Sequence, residues 1–266
     1  MDQNISLILH QKYNPEGSQL RKAQLRMLEM MKFVDAVCKK NNIPYWLDSG
    51  TLLGAVRHNG FIPWDDDVDI GMMREDIHRF IDAVEKENHP NFIVQTKKND
   101  PHFMQDWPVV RDLQSEYIQS TVLHNIRKYK GLQLDIFPFE KGIIKSFEFL
   151  GNTFACKKNE KIEKKQLRTA HFIDFFCDYF IFPFWRFLGL FCSRRKKLSL
   201  GYGCFFSYSL NYETIFPLKP INFEGFSFSA PNNVDKYLSN CYGPTYMEIP
   251  PEDKRIVHTS EIRMYF

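Results

Sequence analysis

What the chain lacks narrows it first. Its six cysteines, Cys38, Cys156, Cys177, Cys192, Cys204 and Cys241, contain no C-x-x-C pair, so neither a zinc site nor a disulfide framework is indicated. Charge of one sign is scarce too. The formal net charge is +3 and no long basic run is interleaved with aromatics, which sets nucleic acid aside as a partner. Met1 to Pro15 show no basic region, long apolar stretch or small-residue cleavage site of a secretory signal, and the expected location is cytoplasmic. Internal repeats and low-complexity segments are missing as well. What remains is 266 residues, 44% hydrophobic and 25% charged, enough for one sizeable core, so a single domain over 1–266 is expected.

Against that background one run stands out, Trp64-Asp65-Asp66-Asp67-Val68-Asp69-Ile70-Gly71. An acidic cluster here runs directly into a strand-like alternation, which points Asp67 and Asp69 one way and Val68 and Ile70 into a core. Two carboxylates on one face resist ionisation together unless a cation sits between them. Mg²⁺ or Mn²⁺ suits such a pair, since a hard ion takes one or two carboxylates and leaves its other positions to water and phosphate. An acidic run is more often a solvated loop, and its company argues otherwise. Upstream, Tyr45-Trp46-Leu47 reads as a strand, Ser49-Gly50-Thr51 as a tight turn and Leu52 to Arg57 as a short helix. A small-residue turn opening a helix offers N–H groups and a positive dipole end to a phosphate. Downstream, Leu132-Gln133-Leu134-Asp135-Ile136-Phe137 is an apolar strand with one acid, Asp135, as a candidate third ligand.

The remaining elements follow from periodicity. Leu20, Met27, Met31, Val34 and Cys38 predict a helix over 18–40, and Ile77, Phe80, Ile81 and Val84 a second over 75–87. Short turn-bounded segments at 92–94, 108–110 and 116–118 read as strands, and Asp135 is expected on a central one. Strands mixed with helices in this order give an α/β or α+β sheet covered by helices.

The Gly-Thr turn, the acid-apolar-acid strand and the later lone acid together resemble the nucleotidyltransferase fold of the polymerase-beta type. The continuous run from Tyr45 to Asp69 is similar to the signature of the LicD family, which includes bacterial phosphorylcholine transferases and is related to the fukutin-type proteins. Tyr242-Gly243-Pro244-Thr245-Tyr246-Met247, with Pro250, Pro251, Arg255 and His258, resembles the family's closing motif. The resemblance implies a mixed sheet flanked by helices. It also implies a metal-dependent phosphotransferase that moves a phospho-alcohol, phosphocholine above all, from a CDP-activated donor such as CDP-choline to a sugar hydroxyl of a cell-surface glycan or its lipid-linked precursor. Asp67, Asp69 and Asp135 are then the expected catalytic and metal-holding residues, with Asp135 orienting or deprotonating the acceptor. Gly50, Thr51, Arg57, Trp64 and Asp66 are the substrate-contact candidates. Arg57 suits either a phosphate or a structural partner, and Trp64 either stacking on a cation or packing under its loop. His58 reads as structural, Asp48 as a cap for the turn, and Asp65 and Asp66 as lying outside the alternation. Arg255 and His258 are weaker candidates from the closing motif.

Two rival functions stay open. A nucleotidyltransferase moving NMP from an NTP to a small molecule would use the same acids, and an idle membrane-surface binding protein would keep only the fold. The region 147–209 matches no motif and reads as an aromatic-rich helical insertion. Its run from Phe172 to Cys192 holds Asp174, Asp178, Pro183 and Arg186, which argue against spanning a bilayer. With Arg194-Arg195-Lys196-Lys197 beside it, the segment either lies on the inner face of a membrane or packs on the core.

Overall fold

Two helices, α1 (Gln3–Tyr13) and α2 (Gln19–Lys40), precede the first strand. The structure is a computed structural model that describes residues 3–191, 197–205, 207–255 and 261–265. Cys192, the basic residues Arg194 to Lys196 and His258 lie outside the described residues. Ser18 caps α2 by accepting the Arg21 N–H at 3.2 Å, and the predicted stripe Met27, Met31, Val34 and Cys38 is buried. Sequence periodicity and a capping residue thus agree on where this helix starts and which face it hides.

The chain continues through β1 (Tyr45–Leu47), α3 (Ser49–His58), β2 (Val68–Met73), α4 (Arg74–Glu87), β3 (Phe92–Gln95), β4 (Val109–Asp112), β5 (Ser115–Ile118), α5 (Val122–Ile126) and β6 (Gln133–Lys141). A helical arm follows, made of α6 (Lys145–Glu163), α7 (Leu167–Phe176), a π-helical turn (Cys177–Ile181) and α8 (Phe182–Gly189). Then come β7 (Lys197–Leu200), β8 (Ser209–Asn211), α9 (Tyr212–Ile215), β9 (Lys219–Phe223), β10 (Phe226–Ala230), α10 (Val234–Tyr242) and β11 (Glu261–Met264). The four segments read as strands at 45–47, 92–94, 108–110 and 116–118 all form, each within a residue or two of its expected place.

The nine-residue β6 is the hub of a curled, mixed, seven-stranded sheet. β2 runs parallel along one edge of it, with Asp69 opposite Asp135 and Phe139 opposite Met73. On the other edge β4 pairs antiparallel with its first residues and β7 with its last. β1 extends the sheet beyond β2, β3 beyond β4, and β8 beyond β7. Val68, Ile70, Leu134 and Ile136 fill the core on the face that α2 and α4 cover, and Phe139 packs on Trp46 from the other face, as a central strand pair buried on both faces requires. The hairpin β9–β10 packs against β1, and β11 pairs with β5. Of the region 147–209 read as a helical insertion, the arm is helical and carries a small apolar cluster of Ile143, Cys177, Phe182, Trp185 and Tyr202, whereas β7 returns to the main sheet beside β6.

Candidate active site

The site is assembled where β1, β2 and β6 meet the start of α3. Asp48, extended at φ −125° and ψ 170°, caps α3 by accepting the Ser49 N–H at 2.7 Å. Its own N–H donates to the Asp69 carbonyl at 3.1 Å, so the cap is tied to β2. Tyr237 and Tyr208 donate their phenols to the same carboxylate at 2.6 and 3.1 Å. Burial alone pushes Asp48 above the usual carboxylate range, and these donors partly offset it. The turn itself begins at Ser49, which holds a left-handed φ of +45°. A Cβ on Gly50 would come within 3.0 Å of Asp65 Oδ2, so bare backbone lets this acid lie against the first turn of α3. Thr51 Oγ1 accepts the Asp69 N–H at 2.9 Å and locks the helix to the acidic strand.

Five carboxylates then share one neighbourhood. Burial pushes Asp69 well above its ordinary range, and the charges of Asp67, Asp135, Asp48 and Asp65 push it further. Asp65 is raised in the same way, by burial and then by Asp67 and Asp66. Asp65 therefore belongs to the cluster, although it precedes the strand whose alternation places Asp67 and Asp69. Asp66 is fully buried and contributes to the field on Asp65 and on the buried Tyr117 phenol. Tyr242, at the end of α10, is raised by burial and then by Asp69, which brings the closing motif to the site.

Asp135 is oriented from both sides. Trp107 Nε1 donates to its Oδ1 at 2.8 Å and Gln133 Nε2 to its Oδ2 at 3.1 Å. Behind Gln133, Arg111 donates to Gln133 Oε1 at 2.9 Å, to Gln95 Oε1 at 2.8 Å and to the Gly131 carbonyl at 3.0 Å. Complete burial, followed by the neighbouring Arg127, brings Arg111 down to about 10. Arg127 is nine-tenths buried, lies 5.5 Å over the Phe103 ring, and feels Asp135 and Asp100. Trp107, Gln133, Arg111 and Arg127 were not singled out by the sequence. Gln133 was within reach, because it stands two residues before Asp135 on the same strand face.

Arg57 and Trp64 have neighbours of their own. Arg57 Nη1 donates to the carbonyls of Tyr246 and Glu248 at 3.3 and 3.0 Å, which ties α3 to the closing segment. Its Nε donates to His58 Nε2 at 3.1 Å, and burial beside this cation lowers His58 to about 3, a neutral ring. Trp64 packs edge-on with Tyr13 and carries the Arg255 guanidinium 4.6 Å from its ring centroid. One aromatic face read as a platform for a ligand cation thus already holds a protein cation.

A family model described as LicD/FKTN/FKRP, nucleotidyltransferase domain, matches residues 42–188, which include the acids of β2 and β6 and the arm. The lipopolysaccharide cholinephosphotransferase LicD of Haemophilus influenzae is 27% identical over 256 residues, 90% of this chain and 95% of that protein. An uncharacterized protein of Rickettsia prowazekii is 58% identical over 55 residues, 21% of each chain. The ribitol 5-phosphate transferase FKRP of Mus musculus is 44% identical over 66 residues, 24% of this chain and 13% of that protein.

Proposed function

This chain belongs to the LicD/FKTN/FKRP family, and from that premise we propose that it is a transferase moving a phospho-alcohol group onto a glycan. We read the donor as a CDP-alcohol, CDP-choline first, and the fold as a nucleotidyltransferase of the polymerase-beta type. The observation that carries the chemistry is the register of Asp69 against Asp135, with Asp67 and Asp65 adding charge to the same neighbourhood. Such a cluster is costly for folding and has a use where cationic or phosphate chemistry must be held.

A divalent cation fits the donor chemistry, because the cluster offers only carboxylate oxygens and its anions repel one another. Among the described residues no group of three or more His, Cys, Asp or Glu side chains stands ready as a metal cage. Asp67 and Asp69, with Asp135 as a third candidate, would hold Mg²⁺ or Mn²⁺, since such an ion takes one or two carboxylates. When bound, the ion would neutralise charge on the donor diphosphate and on the leaving nucleotide. The rest falls to the chain. The opening turn of α3, at Gly50 and Thr51, presents N–H groups and a positive dipole end toward the donor phosphates. The acceptor hydroxyl oxygen forms a bond to the phospho-alcohol phosphorus as the bond to the cytidylate oxygen breaks. CMP departs with that electron pair. Asp135 takes the hydroxyl proton, its orientation set by Trp107 and Gln133.

The purified protein with Mg²⁺ should release CMP from CDP-choline, CDP-ribitol or CDP-glycerol when a glycan acceptor is supplied. Pyrophosphate release from an NTP would replace this reading with nucleotidyl transfer. An absence of release from every donor, with ligand binding intact, would replace it with a binding protein.

A further inference from the structure

The helical arm is turned inside out with respect to polarity. The residues joining α7, the π-turn and α8 all hold right-handed helical backbone, so 167–189 is one rod, ~35 Å long at 1.5 Å per residue. The π-turn ends just before Pro183, whose missing N–H and bulky ring a regular helix does not accommodate. From Asp174 onward the charged side chains of the rod face the protein. Asp174 Oδ1 accepts from Lys158 and Lys97 Nζ at 2.7 and 2.9 Å, Asp178 Oδ2 accepts from Lys97 at 2.6 Å, and Arg186 Nε donates to Glu140 Oε2 at 2.8 Å. Facing solvent, the ten exposed positions from Phe172 to Phe191 are all Phe, Tyr, Leu or Pro. Phe172, Tyr179 and Phe191 are 65%, 68% and 77% exposed, and Phe172, Phe176 and Phe180 stack successively on one another. A contiguous apolar face of this kind is rare on a protein that meets only water.

We propose that this face lies in the surface of an anionic lipid bilayer, with the rod parallel to the membrane plane. Aromatic side chains favour the headgroup boundary, and a helix with one wholly apolar face inserts to about half its diameter. Charge selects the bilayer over a protein partner. From 145 to 197 the sequence has twelve basic against five acidic residues, a net +7 in a chain of net +3, the sign of charge that an anionic surface attracts. Spanning is not implied, since no helix among the described residues is long and apolar enough to cross a membrane. The inference does not depend on the transfer reading, because it is tested without turnover.

Cosedimentation of the purified full chain with phosphatidylcholine vesicles, with and without phosphatidylglycerol, is the test. Binding is expected to the anionic vesicles at low salt and to weaken as salt rises. A variant with Phe172→Ser, Tyr179→Ser, Phe184→Ser and Phe187→Ser should need at least about tenfold more lipid for half-binding, with unchanged circular dichroism. If that variant does not fold, the pair Tyr179→Ser and Phe187→Ser should still show a several-fold loss. Wild-type protein that stays in solution with anionic vesicles at low salt overturns the proposal. So does a dimer, seen by light scattering, that these substitutions dissociate while vesicles go unbound.

Discussion

Asp135 and Asp69 sit in register on adjacent strands, and what surrounds each sets its task. Asp69 is raised by burial and by other acids, so its charge opposes folding until a cation is bound. Asp69→Asn should nearly abolish turnover while leaving the fold intact, and should raise the thermal midpoint by about 2–4 °C. Calorimetry with and without Mg²⁺ and CDP checks both halves, and a ligand-induced shift that survives the substitution would show that the donor site lies elsewhere. Asp135 accepts from two neutral donors, Trp107 at Oδ1 and Gln133 at Oδ2. Asp135→Asn should cost between about 10²- and 10⁴-fold in kcat as loss of a general base. Trp107→Phe should cost about tenfold, the worth of one hydrogen bond to a charged group, with the KM for donor unchanged. A rise in KM at constant kcat would make Trp107 a donor contact instead of a positioning residue.

At the scale of elements, α3 is the part most constrained by its neighbours. Asp48 caps it, Thr51 ties it to β2, and Arg57 ties it to the closing segment. A Cβ at Gly54 would lie 2.5 Å from the Gly60 carbonyl, where the chain turns back under the helix. Gly54→Ala should therefore destabilise by about 1–3 kcal/mol through overpacking, seen as a lower urea midpoint at unchanged slope. An unchanged midpoint would mean that the 59–63 loop yields freely. The sequence reading placed this helix at 52–57 and took Ser49 to Thr51 as a separate turn. The turn proves to be the first turn of α3, because Asp48 caps the helix directly before Ser49. Asp65 lies outside the strand alternation, as read from the sequence, and joins the acids through the loop that folds onto Gly50.

Across the whole molecule, Glu140 clasps three parts together. This residue of β6 is buried and pairs with Arg74 at the start of α4 and with Arg186 of α8 at 2.8 Å. Burial alone would raise its carboxyl, and the two guanidinium groups more than offset that, leaving it below its ordinary value of 4.5. A carboxyl depressed by folding binds its proton more readily when unfolded, so its contribution is complete above the ordinary value and is lost as pH falls below 4.5 toward the depressed one. Glu140→Gln should lose about 2 kcal/mol at neutral pH, less than a fully buried pair because both arginines are about a third exposed, and should flatten the acid limb of stability. A variant whose acid limb matches the wild type would show that other carboxylates govern it. The sequence by itself determined the local elements and the acids of β2 and β6, because strand and helix periodicity and a long family signature are properties of neighbouring residues. Only the tertiary structure decided that Asp69 faces Asp135, that Asp65 joins them, that Trp107 and Gln133 hold Asp135, and that Arg255 covers Trp64. It also resolved the aromatic run, where a choice between core and surface gave way to both, with charges and Trp185 inward and a phenylalanine face outward. Those outcomes depend on contacts between residues distant in the chain, which strand register and side-chain burial create and which no local pattern encodes.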